Sequence, residues 1–356
     1  FRDVGAWYHL VVAYDTTQAT PADRIKLYVN GVQETDFSTE TYCAQDFDTE
    51  MNTTVQVDFG KEQSNYFDGV MAHVHLTDGT AYAATAFGET DATSGIWIAK
   101  SGPSVTYGTN GFFLKFASGA LGTDSSGEGN NMTVSGTMTN TKDTPDNNFA
   151  TMNPLVYGTS QTFSNGNNTI TNSGATWEQN FATQGVSSGK WYWEAKFVSG
   201  TWVVTGVDSV IFYSPSTSGF TTTSVGYKSN NGNVAVAASI IDTEATYAPG
   251  DIVSVALDMD NDAVYFAKDG VWINSGDPTS GASKTGAYTL PVANTTYFPT
   301  MGLYNTEVDS LNFGNGYFGT TAVTSAEADG NGEGQFEYAP PTGYFALCTN
   351  NLGSES

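Results

Sequence analysis

The sequence is short of cations. Only 12 Lys and Arg stand against 37 Asp and Glu in 356 residues, a formal net charge of −25. Phosphate recognition needs clustered cations that release counterions, and no basic cluster exists here, which argues against nucleic acid as a partner. An anionic membrane surface would repel the chain for the same reason. No apolar run approaches the length that crosses a bilayer, so no membrane insertion is expected. A surplus of one sign favours solubility, and salt shortens the self-repulsion, which suits a saline or extracellular setting.

Cysteine is also scarce. Cys43 and Cys348 lie near opposite ends of the chain and read as two buried thiols in separate modules rather than as a disulfide. Histidine is limited to His9, His73 and His75. Strong helix formers are sparse, and no segment much longer than about ten residues keeps an apolar spacing of three and four. The chain opens at Phe1 without Met, as a fragment or processed product would, and a targeting signal would then be lost.

What is abundant is the material of strands and turns: 39 Gly, 13% aromatic residues, and Thr, Ser and Asn throughout. Short β-branched and aromatic runs with a period of two, bounded by Gly, Asp or Asn, predict an all-β chain of antiparallel sandwiches. At this length two large modules, each with its own core, fit better than one. The clearest runs are Gly189-Lys-Trp-Tyr-Trp-Glu194, Gly250-Asp-Ile-Val-Ser-Val-Ala-Leu-Asp258 and Val264-Tyr-Phe-Ala-Lys-Asp-Gly-Val-Trp272. Their order and spacing resemble a SPRY domain. Tyr297–Tyr304, Ser310–Tyr317 and a closing strand in Pro340–Leu347 extend the resemblance over residues 161–352, leaving 353–356 as a tail. It implies a β-sandwich that binds through its loops and has no active site of its own.

The first part of the chain reads as a different sandwich. Trp7–Tyr14 is apolar on both faces, as in a sheet covered on both sides. In Arg24-Ile-Lys-Leu-Tyr-Val-Asn-Gly31, Ile25, Leu27 and Val29 share one face, and Asn30-Gly31 supplies the positive-φ pair of a type I′ hairpin. Phe67–Leu76 alternates again. The Trp-x-His strand, this hairpin and the Phe-Asp-Gly-x-x-Ala strand resemble a laminin-G or concanavalin A-like jelly roll over residues 1–116. The strands that normally precede the first are missing, so the expectation is a truncated module or one completed from outside this chain.

Residues 117–160 are rich in Gly, Ser, Thr, Asn and Asp and read as a connector, with Phe149, Met152, Pro154, Leu155 and Tyr157 able to pin its far end. Asp124-Ser-Ser-Gly-Glu-Gly-Asn-Asn131 and Thr144–Leu155 resemble the connector between lectin-like and SPRY modules in tail-fibre-type proteins of aquatic bacteriophages. That resemblance implies a viral structural protein, a subunit of a virion appendage outside the cell. Its partners would be other virion subunits and a host-surface glycan or protein, and its form a homo-oligomer, typically a trimer.

Three catalytic patterns have better explanations. Gly185-Val-Ser-Ser-Gly189 satisfies the hydrolase G-x-S-x-G pattern, but it precedes a strand and every histidine lies in the other module. Asp258-Met-Asp-Asn-Asp262, with Asp269, imitates a calcium loop, yet Ala263 replaces the required Gly and helices are lacking. His73 and His75 share a strand face but lack the third ligand a zinc site needs, Asp78 being the one nearby candidate. No two carboxylates are nominated as a glycosidase pair. No catalytic, metal or cofactor site is expected.

Surface recognition remains. Loops on a rigid scaffold collect binding groups, and aromatic rings suit sugars and protein anchors alike. The candidates on longer loops of the second module are Trp202, Tyr213, Tyr247 and Tyr288. The competing readings are a secreted carbohydrate-binding module or glycan-active enzyme, and a virion decoration protein without receptor contact.

Overall fold

A period of two carries the second half of the chain. In the strand Lys190–Ser199, Trp191, Trp193, Ala195 and Phe197 enter one buried cluster, whereas Tyr192 enters another on the opposite face. The sheet that contains it is therefore covered on both sides, which is why five consecutive residues, Trp191 to Ala195, are buried, as is Phe197 beyond the half-buried Lys196. A computed structural model describes residues 5–50, 57–156, 158–211 and 220–354. Among the described residues two units emerge, residues 6–140 and residues 141–354 with Gly5.

The larger unit stacks two antiparallel sheets. One has nine strands, with Lys190–Ser199 between Val308–Asn312 and Ile252–Asp258; Thr169–Asn172 and Gln161–Ser164 follow on one side, Ala263–Lys268 and Val271–Trp272 on the other. The other has six strands in the order Glu178–Phe181, Phe298–Leu303, Val203–Asp208, Ser224–Lys228, Asn233–Val236 and Ser239–Thr243. Between them lie Trp193, Phe197, Val207, Tyr227, Val255, Met301, Leu303 and Leu311, among others. Burial of this apolar surface is the main driving force, about 1.5–3 kcal/mol for each large side chain taken out of water.

The chain then wraps the outer face of the larger sheet. Phe345–Ala346 pairs parallel with Trp191–Tyr192, and Phe336, Tyr344 and Cys348 pack with Tyr192, Tyr265 and Phe149. Glu194 is sealed beneath this cover. Its carboxylate accepts the Glu337 N–H at 2.9 Å, the Tyr338 N–H at 2.8 Å, the Tyr192 hydroxyl at 3.1 Å and the Asn312 amide at 3.3 Å. Burial nevertheless pushes its carboxyl up to about 7, the four donors opposing that rise only in part. The tail expected at 353–356 begins inside a short helix, Thr349–Ser354.

The smaller unit is built of short ribbons. Leu10–Tyr14 pairs with Ile25–Val29, which turns back into Val32–Gln33. Asn30 at φ 48° and Gly31 at φ 81° supply the positive-φ pair that the sequence predicts. The indole of Trp97 lies so close to Gly31 that a Cβ there would sit 2.3 Å from a ring carbon. Val74–Leu76 pairs with Phe112–Leu114, and Gly88–Thr90 with Trp97–Ala99. One expectation fails here. Val11 is buried while Leu10 and Val12 are 52% and 63% exposed, so the first strand buries one face, not both, against Ala84 and Phe87.

The stretch expected as a connector is divided between the two units at residues 140 and 141. Before the division, Asp124 organises a turn by accepting the N–H groups of Phe113, Ser126 and Asn130, which hold its carboxyl down at about 2 against the desolvation that opposes them. After it, Phe149, Ala150 and Met152 are almost wholly buried, and Met152 bridges to Ala182. Of the pins that the sequence names, Phe149 and Met152 are thus anchored, whereas Leu155 is 60% exposed and pins nothing. Tyr157 lies outside the described residues. Both cysteines are free, Cys348 buried and Cys43 half-buried.

Candidate recognition surface

The outer face of the six-stranded sheet carries a group of aromatic rings. Along Val203–Asp208, Val203 and Val207 point into the core and Val204 points out. By the same alternation Trp202, just before the strand, faces outward. Leu303 is a core residue, so Tyr304 beyond it also faces outward, and the two rings meet with centroids 4.6 Å apart. Trp177, preceding Glu178–Phe181, lies 5.5 Å from Tyr304. Lys228 is the direct cross-strand neighbour of Val204, and its ammonium sits 4.5 Å above the Trp177 ring. Burial lowers the pKa of Lys228. Trp177 is nearly buried, whereas Trp202, Tyr304 and Lys228 are half-buried, so the group has a solid floor and an accessible edge.

A buried carboxylate fixes the edge. Glu307 accepts the N–H groups of Thr201 and Trp202 at 3.2 and 3.3 Å, which pins the turn that presents the Trp202 ring. Desolvation pushes the Glu307 carboxyl up and these N–H groups pull it back. Gly200 lies directly against the Glu307 side chain, where a Cβ would come within 2.5 Å of its Cγ. The turn can close on the carboxylate only because this residue lacks a side chain, and its φ of 116° also favours glycine.

Of the four rings nominated from the sequence, Trp202 alone is placed at this surface. Tyr247 is 4% exposed and crosses the core, its hydroxyl donating to the Tyr227 carbonyl at 2.9 Å. Tyr288 is 3% exposed, packs on Phe266 and donates to the Asp242 carboxylate at 3.0 Å. Neither ring face is free to stack on a ligand: each phenol satisfies its polar end inside the sandwich, as buried tyrosines must. Tyr213 lies outside the described residues. Trp177, Tyr304 and Lys228 were missed, although alternation sets Tyr304, one residue beyond the core position Leu303, on the outer face; Lys228 is fixed only by its cross-strand pairing with Val204.

The catalytic look-alikes are occupied by structural duties. In Gly185–Gly189 the Ser188 carbonyl accepts the Trp191 indole N–H at 2.7 Å, and a Cβ at Gly185 would strike the Phe298 ring. Asp258 is fully buried, pairs with Lys190 at 2.8 Å and accepts from Asn261, while Asp260 accepts the Gly189 N–H at 2.8 Å. Those carboxylates hold turns. His75 stacks on Phe113 at 4.0 Å with its Nδ1 2.8 Å from the Tyr107 hydroxyl, and burial lowers its pKa to about 4. It is a packed, neutral imidazole at ordinary pH.

Solved structures similar to the chain include the SPRY domain of human HERC1, at 19% identity, covering 45% of this chain and 96% of that one with a TM-score of 0.37. A human SPRY domain matches at 16% identity, with coverage of 44% and 95% and a TM-score of 0.33. The PSpry domain of TRIM65 matches at 14%, with coverage of 46% and 91% and a TM-score of 0.33. No curated protein matches the chain. Family models match residues 190–316 as a SPRY domain and residues 2–86 as the Concanavalin A-like lectin/glucanases superfamily. A SPRY domain and a lectin-like domain, both of types that serve binding, are thus found in one all-β chain.

Proposed function

We propose that this chain is a non-catalytic recognition protein of a virion appendage of the bacteriophage tail-fibre type, and that it binds a glycan or protein on the host surface. The observation that carries the reading is the Trp202–Tyr304–Trp177 group with Lys228 at its side, held rigid by Glu307 on the outer face of a sandwich. Aromatic faces bind the C–H faces of sugars and anchor protein interfaces, and a pre-ordered turn lowers the entropy cost of using them. The pairing of a lectin-like with a SPRY domain supports recognition. The connector sequence, Asp124–Asn131 and Thr144–Leu155, supports the appendage. Display as a homo-oligomer, a trimer in fibres of this type, would multiply weak single contacts through effective concentration.

The test is retention of the purified full chain on host cells and on an array of surface glycans. The double variant Trp202→Ala, Tyr304→Ala should lose retention while keeping its thermal unfolding midpoint. Retention unaffected by that variant would overturn the assignment of the surface, and no retention on any host would overturn receptor recognition altogether.

A further inference from the structure

A second site lies on the opposite side of the same domain. On the outer face of the nine-stranded sheet, a groove of about 300 Å³ is floored by side chains from three adjacent strands. Lys196 is the direct neighbour of Ser310, and Ser310 of Thr169, so the three stand in a row across the sheet. The Thr169 and Ser310 hydroxyls lie 2.9 Å apart, and the Asn165 amide donates to the Thr169 hydroxyl at 3.1 Å. The exposed side chain of Val198 forms an apolar rim.

Charge makes this groove unusual for the molecule. Lys196 is the one charged side chain lining it. Lys190 and Lys268 are paired with Asp258 and Asp251, but among the described residues no carboxylate lies within ion-pair distance of Lys196. Its ammonium instead sits 5.7 Å from the Phe318 ring. In a chain with a net charge of −25, an ammonium held apart from carboxylates is a local inversion of sign. The groove is also kept open. Gly319, at φ 61°, follows Phe318, and a Cβ there would lie 3.3 Å from both Asn165 Nδ2 and Thr169 Oγ1 and 3.5 Å from Ser310 Oγ. Any side chain at that position would crowd the polar row.

We propose that this groove binds a sugar residue bearing a carboxylate, with Lys196 taking the carboxylate and the exposed Asn165, Thr320 and Thr321 exchanging hydrogen bonds with ring hydroxyls above the buried Thr169–Ser310 pair. The inference rests on reading this domain as a binding module and names a ligand class for it. A single cation beside neutral hydroxyls matches one carboxylate, whereas a phosphate group calls for several cations or converging backbone N–H groups. The volume suits one monosaccharide, at the lower end of small-ligand sites.

The experiment is ligand-observed NMR titration of the full chain with galacturonic acid, its methyl ester and galactose. The acid should bind about tenfold more tightly than the ester or galactose, the worth of a charge-assisted hydrogen bond. Lys196→Met keeps the alkyl stem over Phe318 and should erase that difference without moving the thermal midpoint. Equal binding of acid and ester, no binding of the acid, or a Lys196→Met variant that still prefers the acid would each overturn the proposal. Host-cell retention that survives any of these results would leave receptor recognition standing without this groove. Binding of the acid without cell retention would keep the groove and remove the appendage reading.

Discussion

The Glu307 carboxylate accepts the backbone N–H of Trp202 across more than a hundred residues of chain, and that bond pins the turn that carries the half-buried indole. Glu307→Leu would remove the one oxygen, Oε1, that both N–H groups share and leave them without an acceptor. The expected cost is about 1–3 kcal/mol in unfolding free energy, the usual penalty for an unsatisfied buried polar group. Host-cell binding should weaken as well, because the turn loses its anchor. Parallel chemical denaturation and cell retention would read both effects.

Tyr247→Phe separates architecture from recognition. Removing the hydroxyl that serves the Tyr227 carbonyl should lower stability by about 1 kcal/mol. It should leave retention on cells unchanged, since the ring is sealed in the core. A loss of retention at unchanged stability would show that the residue reaches a partner after all.

Glu194 gives the second domain an acid-favoured stability. Its carboxyl titrates near 7 when folded and in the ordinary carboxylate range when unfolded. Between those values the folded chain holds a proton that the unfolded chain has released, so stability falls as pH rises from about 4.5 to 7 and levels off above. The change from this group is on the order of 3 kcal/mol. Asp309, buried and likewise pushed well above the usual range by desolvation, contributes with the same sign. Denaturation midpoints measured across this window should rise toward acid, and a flat or opposite profile would contradict the burial of both groups.

Asp309 also predicts a stabilising substitution. It stands opposite Ile170 and Phe197, on the strand face that sends Leu311 into the core, and its Oδ1 has no partner among the described residues. Asp309→Leu should raise unfolding free energy by about 1–3 kcal/mol at neutral pH, because an unpaired polar group gives way to an apolar one. Thermal unfolding above and below the titration range would show the gain shrinking in acid.

In the first domain, Gly31→Ala should be costly in two ways at once. The residue sits at positive φ, and the new methyl would meet the Trp97 ring. A loss of about 2 kcal/mol or more in that domain is expected from strain and displaced packing together. The indole of Trp97 donates to His9 at 3.0 Å, so its fluorescence should report the disturbance.

The strands were legible because alternation is a local signal. Trp191, Trp193 and Phe197 declare their face from spacing alone, and Asn30-Gly31 announces its turn. The recognition surface was less legible. Tyr247 and Tyr288 look like loop aromatics in the sequence, but the groups that bury them, Tyr227 and Asp242, come from other strands. Phe149 and Met152 stood out as apolar residues in a polar stretch, but their partners, Cys348 and Ala182, are set by tertiary pairing. Lys196 shows the same limit. Its isolation from carboxylates depends on which acids the fold brings near.

The seam at Phe149 and Cys348 has a mechanical consequence. The Asn148 carbonyl accepts the Thr349 N–H and the Asn147 side-chain oxygen accepts the Asn350 N–H, so residues 147–148 and 349–350 run side by side. Tension applied across residues 147 and 350 would open that seam one bond at a time, like a zip fastener, before it strained the stacked sheets. Both proposed contact surfaces lie on those sheets and would outlast the seam.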